Sequence, residues 1–379
     1  MKLAVNGWFC NQIQTGSGQY LRHLLPALTG LNPDLEITLV APDHALSGSA
    51  VHWPEQVRMW PVRVRPGRPG KVWFEQRLFP RAARAAGADV AHVPYFGSAL
   101  APQLPTVVTV HDLIPMVLPR YRGGPLVRLY TSLVAAAAAN ANLILADSDA
   151  SRRDILAHLK LPPNRVRTVH LAPAPHYAPA ESRPPVEAVI KKYNLPPDFA
   201  LYIGGYDARK NVPALLHAWT YVVAGLGDEL KLVLAGQLPA ADTPFFPDPL
   251  KIARRLGVED FVVTPGPIDE ADKPLLYSAA RLFVYPSRYE GFGLPVLEAM
   301  ACGTPVVTTT AASLPELAGA EAFMVDPDDT RRMASPIISL AIQDDTHTEM
   351  ANRGYRQAQK FNWQITARKT LQAYRDVVR

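Results

Sequence analysis

The stretch YPSRYEGFGLPVLEAMACGTP, residues 285–305, decides how the chain folds around its candidate site. Aromatic and β-branched residues lead into it as a strand would, and Pro286 ends that strand because proline cannot donate to a sheet ladder. Pro295 suits the first turn of a helix and Gly303 its C-terminal cap, so the pattern predicts a helix over residues 296–302. The stretch therefore predicts a strand, a glycine-bearing loop and a short helix.

Two glutamates bracket this loop, Glu290 before it and Glu298 on the helix. A carboxylate accepts both hydrogens of a vicinal diol, such as a ribose or hexose edge. Gly291 and Gly293 let the backbone approach a ligand, and the amides that begin a helix attract an anion such as a diphosphate. A site that offers both features suits a sugar nucleotide.

Length and composition describe an ordinary globular chain of about two domains. Of its 379 residues, 48% are apolar and 19% charged, and no apolar run is long enough for a membrane span. The two cysteines, Cys10 and Cys302, cannot form a disulfide framework, which fits a reducing cytosol, and we expect both to be small buried residues rather than reactive thiols. Residues 1–180 carry 18 basic and 10 acidic side chains, so this half is the basic one.

The N-terminal half begins as a βαβ unit. Residues 2–8 and 35–41 are apolar enough for buried strands, and the loop TGSGQY, residues 15–20, opens a helix between them. Gly16 and Gly18 therefore lie at the carboxyl end of the first strand, where such sheets bind ligands. A tight turn that needs glycine only for packing is the alternative.

Residues 63–84, here called the basic segment, combine seven Lys and Arg side chains with aromatic ones, and only Glu75 opposes them. Such a segment could rest on an anionic membrane or hold a phosphorylated acceptor. A solvated helix whose aromatic side packs inward is the alternative. We expect no nucleic-acid partner because no recognised DNA- or RNA-binding motif accompanies the basic residues.

His111 follows the predicted strand 106–110, at a strand end where polar side chains face a ligand. It is the best placed of the ten histidines to contact a ligand, although a structural role, paired with Asp112, is the alternative. No set of His, Cys and carboxylate residues has metal-ligand spacing, so no metal site is predicted.

The second half repeats the pattern. A strand at 199–203 leads into GGYDARKN, residues 204–211, and a helix. Arg209 and Lys210 on this loop would neutralise a diphosphate, although ordinary surface charge is the alternative. Strands alternate with helices in both halves, which predicts an α/β fold with parallel sheets covered on both faces.

The domain boundary is predicted at the proline-rich segment near residue 175, giving domains 1–175 and 176–360. The final residues, 361–379, form an amphipathic pattern that predicts a helix packed across the domain boundary.

With these motifs in place, the chain resembles the large family of retaining glycosyltransferases with GT-B architecture, in the branch that includes glycogen synthases and bacterial mannosyltransferases. The resemblance covers nearly the whole chain and rests on TGSGQY, on His111-Asp112, on the loop 204–211 and, most specifically, on the Glu-x7-Glu pair of Glu290 and Glu298. It implies two Rossmann-like domains with parallel sheets that face an interdomain cleft, the first binding the acceptor and the second the donor. The C-terminal helix would cross back to the first domain.

The resemblance also implies roles for individual residues. Glu290 and His111 would act at the donor sugar, and Glu298 would bind the ribose hydroxyls. The remaining donor contacts would come from Arg209, Lys210, Gly16, Gly18, Phe292, Gly293 and Leu294. Some relatives carry an arginine where this chain has Gly205, so phosphate neutralisation would rest more heavily on the two cations.

The function these expectations favour is metal-independent, retaining transfer of a hexose, most similar to mannose transfer, to a saccharide or lipid-linked acceptor. GDP-mannose is the preferred donor, a UDP-sugar is a further candidate, and no cofactor is expected. A non-catalytic sugar-nucleotide-binding protein and a nicotinamide-dependent oxidoreductase are the alternatives. The expected location is the cytoplasm of a bacterium, with peripheral contact at the inner face of the plasma membrane through residues 63–84.

Overall fold

The computed structural model describes residues 1–12, 14–46 and 51–378. The chain forms two compact units: unit 1 comprises Met1–Leu171 with Asn362–Arg379, and unit 2 comprises Ala172–Phe361. Arg379, the last residue of the predicted C-terminal helix, lies outside the described residues. The units divide slightly before the boundary expected near residue 175.

Each unit is built on a parallel sheet. In the described part of unit 1 the strand order is β3-β2-β1-β4-β5-β6-β7, and in unit 2 it is β10-β9-β8-β11-β12-β13. The strands of unit 1 are β1 (Lys2–Asn6), β2 (Glu36–Pro42), β3 (Val57–Val62), β4 (Val90–Val93), β5 (Thr106–Val110), β6 (Leu143–Ala146) and β7 (Val166–Thr168). Those of unit 2 are β8 (Phe199–Ile203), β9 (Lys231–Ala235), β10 (Val262–Gly266), β11 (Leu282–Tyr285), β12 (Val306–Thr309) and β13 (Phe323–Val325).

Helices connect these strands. Those of the first part of unit 1 are α1 (Gly16–Leu31), α2 (Asp43–Leu46), α3 (Arg68–Trp73), α4 (Phe79–Ala85), α5 (Ile114–Val117), α6 (Pro125–Ala139) and α7 (Asp149–Leu159). Those of unit 2 are α8 (Arg183–Lys192), α9 (Val212–Leu226), α10 (Pro249–Leu256), α11 (Lys273–Ala279), α12 (Leu294–Ala301), α13 (Leu314–Ala318), α14 (Thr330–Ile342) and α15 (Asp344–Ala358). The last helix, α16 (Trp363–Val378), belongs to unit 1.

Central strands of both sheets are apolar along their whole length. All five residues of β5 and all five of β8 are buried, as expected for strands that helices cover on both faces. The order found in both units reverses direction next to the first strand, which is the doubly wound Rossmann pattern. The predicted α/β fold with two Rossmann-like domains is therefore confirmed.

Helix α16 returns to unit 1 and completes its core. The Tyr374 hydroxyl lies 2.7 Å from Nδ1 of buried His92, and Thr366 Oγ1 donates to the His170 carbonyl at 2.7 Å. His92 Nε2 lies 2.9 Å from Thr109 Oγ1 on β5. Burial lowers the pKa of His92 to about 3, so this imidazole is neutral and links the helix to the sheet.

Both cysteines are buried, Cys10 in unit 1 and Cys302 in unit 2. Burial raises the pKa of the Cys10 thiol to about 11 and that of Cys302 to about 12. Both side chains therefore stay protonated near neutral pH and act as small packing residues, as predicted.

None of the helices within the described ranges is both long and apolar enough to cross a membrane.

Candidate active site

The candidate site of unit 2 lies where its sheet reverses direction. Strands β8 and β11 are neighbours, and the loops that follow them, 204–211 and 286–293, leave the same edge of the sheet. The Arg288 amide donates to the Arg209 carbonyl at 2.8 Å, and Asn211 Nδ2 donates to the Pro286 carbonyl at 3.1 Å. These bonds fasten the two loops together, in the position where doubly wound sheets bind ligands.

Glu290 is the centre of this site. Its Oε2 lies 2.7 Å from Arg209 Nη1, and its Oε1 lies 2.8 Å from Lys210 Nζ. Ser287 Oγ donates to the same Oε1 at 2.6 Å, and the Glu290 residue is only 8% exposed. The structure thus brings three predicted site residues into one group, here called the cation cluster (Arg209, Lys210 and Glu290), although Lys210 and Glu290 are 80 positions apart in sequence.

Charge holds the cation cluster in its ionised form. Burial would raise the pKa of Glu290, but Lys210 and Arg209 outweigh it and keep that pKa below its usual value. Two carboxylates lie near the Arg209 guanidinium: that of Glu290 and, 3.5 Å from Nε, that of Asp207. Burial would lower the pKa of Arg209, but these two carboxylates outweigh it and the pKa is raised. An incoming diphosphate would therefore meet two cations that carboxylates already hold in place.

Two members of this site were missed by sequence reasoning. Lys210 Nζ donates to the Tyr285 hydroxyl at 2.5 Å, so a residue expected only to end a strand orients the lysine. Ser287 supports Glu290, and its Oγ also lies 3.2 Å from the Arg209 carbonyl oxygen. No sequence signal distinguishes either residue, because strand-end tyrosines and loop serines are common.

Glu298 has different surroundings from Glu290. The Tyr277 hydroxyl donates to its Oε2 at 3.0 Å, and no described residue forms an ion pair with it. Burial raises the pKa of Glu298 to about 7, against the smaller opposing effects of Lys273 and the Tyr277 hydrogen bond. The two glutamates of the Glu-x7-Glu pair are therefore tuned in opposite directions, one ionised and one close to half protonated at neutral pH.

The loop between the two glutamates requires a glycine at position 293. Gly293 has φ +113° at the start of α12, and a Cβ there would lie 2.9 Å from Leu314 Cδ2. Ser313 Oγ lies within hydrogen-bond distance of two carbonyl oxygens, that of Glu290 at 3.0 Å and that of Phe292. These contacts direct the chain into α12. Pro295 has no amide hydrogen and the Val296 amide donates to the Gly293 carbonyl at 3.0 Å, so the Leu294 amide is the first donor of this helix.

In unit 1, His111 follows β5 as predicted, but its partner differs from the one considered. His111 Nδ1 lies 2.7 Å from Asp147 Oδ2, and Nε2 lies 3.1 Å from the Pro94 carbonyl. Asp112 instead accepts from the Ile114 amide at 3.0 Å, as an aspartate does in a local turn. Asp147 follows strand β6, which lies beside β5 in the sheet. The sequence did not identify it as the partner of His111 because the two residues are close only when these strands are neighbours.

The His111 imidazole is held between two acceptors. A carboxylate and a backbone carbonyl both accept hydrogen bonds, so these two partners favour the doubly protonated imidazolium form of the ring. Burial would lower the pKa of His111, but Asp147 outweighs it and the pKa is raised. The side chain is still 22% exposed, so this imidazolium can reach a ligand at the sheet edge.

Gly16 and Gly18 have different surroundings at the start of α1. A Cβ on Gly18 would lie 2.1 Å from the Gln12 carbonyl oxygen, and the Gly18 amide donates to Thr15 Oγ1 at 3.1 Å. Packing and capping therefore explain Gly18. A Cβ on Gly16 would meet no atom within 4 Å, so this glycine is open to a ligand.

The basic segment forms α3, one turn of π-helix at Phe74–Leu78, and α4. Phe74 and Phe79 are buried, whereas Trp73 is 53% exposed. Glu75 is buried and pairs with Lys71 Nζ at 2.8 Å, so the single acid of the segment neutralises the lysine alone. The aromatic side packs inward as the alternative predicted, but the arginines and Trp73 remain at the surface.

Across the described ranges, no group of three or more His, Cys, Asp or Glu side chains is arranged to hold a metal ion.

Two doubly wound units, each with polar loops at the carboxyl edge of its sheet, define the GT-B class of glycosyltransferases. Family models agree: "Glycosyltransferase Family 4" matches residues 15–172, and "Glycosyl transferases group 1" matches residues 197–343. The chain belongs to this glycosyltransferase family.

Three known proteins illustrate the similarity. O-antigen chain mannosyltransferase B of Escherichia coli is 37% identical over 273 residues, which cover 71% of this chain and 70% of that protein. The serotype-specific mannosyltransferase WbdA of Escherichia coli is 30% identical over 273 residues, but the match covers only 33% of its length. Among solved structures, sucrose-phosphate synthase of Thermosynechococcus elongatus matches all of this chain and 99% of its own with a TM-score of 0.76 at 20% identity, a likeness of fold.

Proposed function

We propose that this glycosyltransferase moves mannose, with retention of configuration, from a nucleotide-diphosphate sugar to a saccharide or lipid-linked acceptor in bacterial polysaccharide biosynthesis. The cation cluster carries the proposal, because it presents two fixed cations beside a carboxylate at the carboxyl edge of a Rossmann-like sheet. Mannose is preferred because the relatives O-antigen chain mannosyltransferase B and WbdA are both named mannosyltransferases. GDP-mannose is accordingly the preferred donor, and UDP-sugars are the competing candidates.

Arg209 and Lys210 would bind the donor diphosphate. Breaking the bond between sugar and phosphate leaves additional negative charge on the departing nucleoside diphosphate. Donors that are already oriented toward this charge lower the barrier, and one well-placed donor contributes on the order of 3 kcal/mol. Two cations in these positions could supply this stabilisation without a metal ion, so we propose that transfer is metal-independent.

Glu290 would hold these cations and stabilise positive charge at the sugar carbon. Both of its oxygens are already engaged, Oε2 by Arg209 and Oε1 by Lys210 and Ser287. A carboxylate so paired is a poor nucleophile, because attack would require it to leave its cations. We therefore favour same-face attack, in which the acceptor hydroxyl approaches as the phosphate departs and its proton passes to a phosphate oxygen.

The other site residues would bind the rest of the donor. Glu298 would accept hydrogen bonds from the ribose hydroxyls, and the amides of Phe292, Gly293 and Leu294 would contact sugar or phosphate. His111 would contribute a positively charged imidazole toward the sugar, and Gly16, with Gly18 beside it, would allow backbone to approach the diphosphate.

Exposed arginines of the basic segment would place the enzyme at the inner face of the plasma membrane. Arg77, Arg81 and Arg84 all lie at the surface of this helical segment. Each basic side chain near an anionic lipid surface contributes about 1 kcal/mol, so three together give a weak, salt-sensitive attraction.

A donor screen tests the proposal. Purified protein is incubated with GDP-mannose, UDP-glucose and UDP-N-acetylglucosamine, with and without EDTA, and both melting temperature and slow donor hydrolysis are measured. We expect GDP-mannose to give the largest stabilisation and EDTA to have no effect. If no sugar nucleotide raises the melting temperature or is hydrolysed, the proposal of a glycosyl donor site is refuted. If a UDP-sugar is preferred, the assignment of GDP-mannose as the donor is refuted.

Product stereochemistry tests the mechanism. NMR of the product formed from GDP-α-mannose should show an α-linked mannose. A β-linked product would contradict retention.

A further inference from the structure

A pocket of about 540 Å³ opens at the start of the basic segment. It lies beyond the carboxyl end of edge strand β3 and is lined by Arg63, Arg65 and Trp73, with Val64, Pro66, Pro69 and Gly70 forming the rest of its wall. We propose that this pocket, here called the arginine pocket, binds the phosphate of a phosphorylated saccharide that serves as acceptor. This inference rests on the proposed function, because it names the acceptor class of the same enzyme.

The two arginines are free to bind an anion. Arg63 and Arg65 are both exposed, and no carboxylate of the described residues forms an ion pair with either. Val64 between them is half-buried and packs against the core of unit 1, whereas both arginines are exposed to solvent. Glu75, the only acid in the basic segment, is already paired with Lys71.

The backbone of the loop around the pocket is sterically constrained. A Cβ on Gly70 would lie 1.8 Å from the Arg65 carbonyl oxygen, so only glycine lets the loop fold back against the start of α3. Gly67 has φ +95°, and the two prolines fix their own φ angles. A pocket that is already shaped loses little conformational freedom when a ligand binds, which favours affinity.

Trp73 indicates what lies beside the phosphate. It is 53% exposed, although its neighbour Phe74 is completely buried. An exposed indole next to two guanidinium groups offers a flat apolar face beside an anion site, which suits the ring of a sugar attached to a phosphate. Inorganic phosphate has no ring that could pack against the indole.

The place of the pocket in unit 1 fits an extended acceptor. Strand β3 is four strand positions from β5, the strand that leads to His111. At about 4.8 Å per strand this separation is on the order of 20 Å. A ligand that reached from the arginine pocket to His111 would be longer than one hexose, which favours a phosphorylated oligosaccharide over a simple sugar.

Binding of small phosphates tests the inference. Mannose 1-phosphate, inorganic phosphate and mannose are titrated by calorimetry into the full chain with GDP held in excess, so that the donor site is occupied. Vesicles containing phosphatidylglycerol form a fourth arm, which distinguishes a lipid headgroup from a free ligand. The variants are the double substitution Arg63→Gln with Arg65→Gln, the single substitution Trp73→Ala, and a matched control in which the exposed Arg120 and Arg122 of unit 1 are both changed to Gln.

We expect mannose 1-phosphate to bind wild type and control alike, and to bind the Arg63/Arg65 variant about tenfold more weakly or worse. Trp73→Ala should weaken mannose 1-phosphate but not inorganic phosphate. Equal weakening in the control would overturn the inference in favour of general surface charge. Vesicle binding that depends on Arg63 and Arg65 without mannose 1-phosphate binding would overturn it in favour of a membrane surface.

A further outcome is that inorganic phosphate binds as tightly as mannose 1-phosphate, with both affinities unchanged by Trp73→Ala. That result would show a simple anion site and overturn the saccharide assignment. Donor stabilisation, measured on the same proteins with GDP-mannose in place of GDP, separates the two proposals. If no sugar nucleotide stabilises wild type, the proposed function fails. If the donor stabilises every variant and the phosphate arm fails, only the arginine pocket is refuted.

Discussion

At the scale of single residues, the environment of each glutamate in the Glu-x7-Glu pair matters more than the spacing between them. Glu290 is held ionised between Arg209 and Lys210, whereas Glu298 rests against the Tyr277 hydroxyl without an ion pair among the described residues. One carboxylate is thus suited to organise cations and the other to receive neutral hydroxyl groups. This difference gives each glutamate a distinct test.

Removing one cation tests the role proposed for the cation cluster. Arg209→Ala should lower kcat for transfer by about 10²–10³, because one preorganised donor to the leaving group is lost. Arg332→Ala, which removes an arginine at the surface of the same unit, is the control and should leave kcat unchanged. Steady-state kinetics with saturating donor checks the prediction, and a fall in kcat below threefold would exclude Arg209 from leaving-group stabilisation.

The raised pKa of Glu298 predicts a pH-dependent donor affinity. Below pH about 7 the carboxyl is increasingly protonated and loses acceptor capacity for a diol, so stabilisation by GDP should weaken as pH falls from 8 to 6. Glu298→Gln should bind GDP more weakly at pH 8 and show a flatter pH profile. The measurement is the shift in melting temperature caused by GDP, taken across this pH range for both proteins. If this shift depends on pH in the same way in wild type and Glu298→Gln, the role proposed for Glu298 is wrong.

The same shift has a defined sign for stability without ligand. A folded pKa above the ordinary value of 4.5 means that the folded state holds this proton more tightly, so its contribution is full below pH 4.5 and is lost as pH rises toward 7. Wild type should therefore lose stability relative to Glu298→Gln between pH 4.5 and 7. Denaturant unfolding at both ends of this window measures the difference, and a gain with rising pH would contradict it.

Sequence alone located the charged residues of the site but not their partners. Glu290, Arg209 and Lys210 could be predicted as candidates because they lie on glycine-bearing loops that follow strands, where parallel sheets bind ligands. Ser287 and Asp147 could not, because a serine or aspartate acquires its role only when another strand end lies beside it. The pairing of His111 with Asp147 instead of Asp112 is the clearest case, since strand order decides it.

At the scale of secondary structure elements, the turn into α12 connects the loop that carries Glu290 to the helix that carries Glu298. Gly293→Ala should destabilise the protein by about 1–3 kcal/mol, because alanine is strained at φ +113° and its Cβ would press on Leu314. Gly205→Ala is the matched control for stability, since its Cβ would meet only Asp207 Oδ2, at 3.7 Å. Equal unfolding free energies for the two variants would show that this turn tolerates a side chain.

Strands in the interior of each sheet were predictable, whereas two edge strands were not. The continuous apolar runs of β5 and β8 reflect burial on both faces. Only Val57 of strand β3 is buried and the strand contains Pro61, and β13 has only three residues, so neither carries the pattern of a buried strand. Because β3 was not predicted from the sequence, the position of the arginine pocket, which begins where that strand ends, could not be predicted either.

At the scale of the whole molecule, the chain leaves unit 1, forms unit 2 and returns with α16, so the stability of unit 1 depends on its last residues. Tyr374→Phe removes the hydroxyl bound to His92 Nδ1 and leaves a buried polar atom without a partner, a loss of about 1–3 kcal/mol. Native-state hydrogen exchange should therefore become faster in β4 and β5 of unit 1 and stay unchanged in β8 and β11 of unit 2. Tyr355→Phe, at an exposed tyrosine of unit 2, is the control and should leave exchange in both units unchanged. Faster exchange in β8 and β11 after Tyr374→Phe would show that the helix supports the chain as a whole and not unit 1 alone.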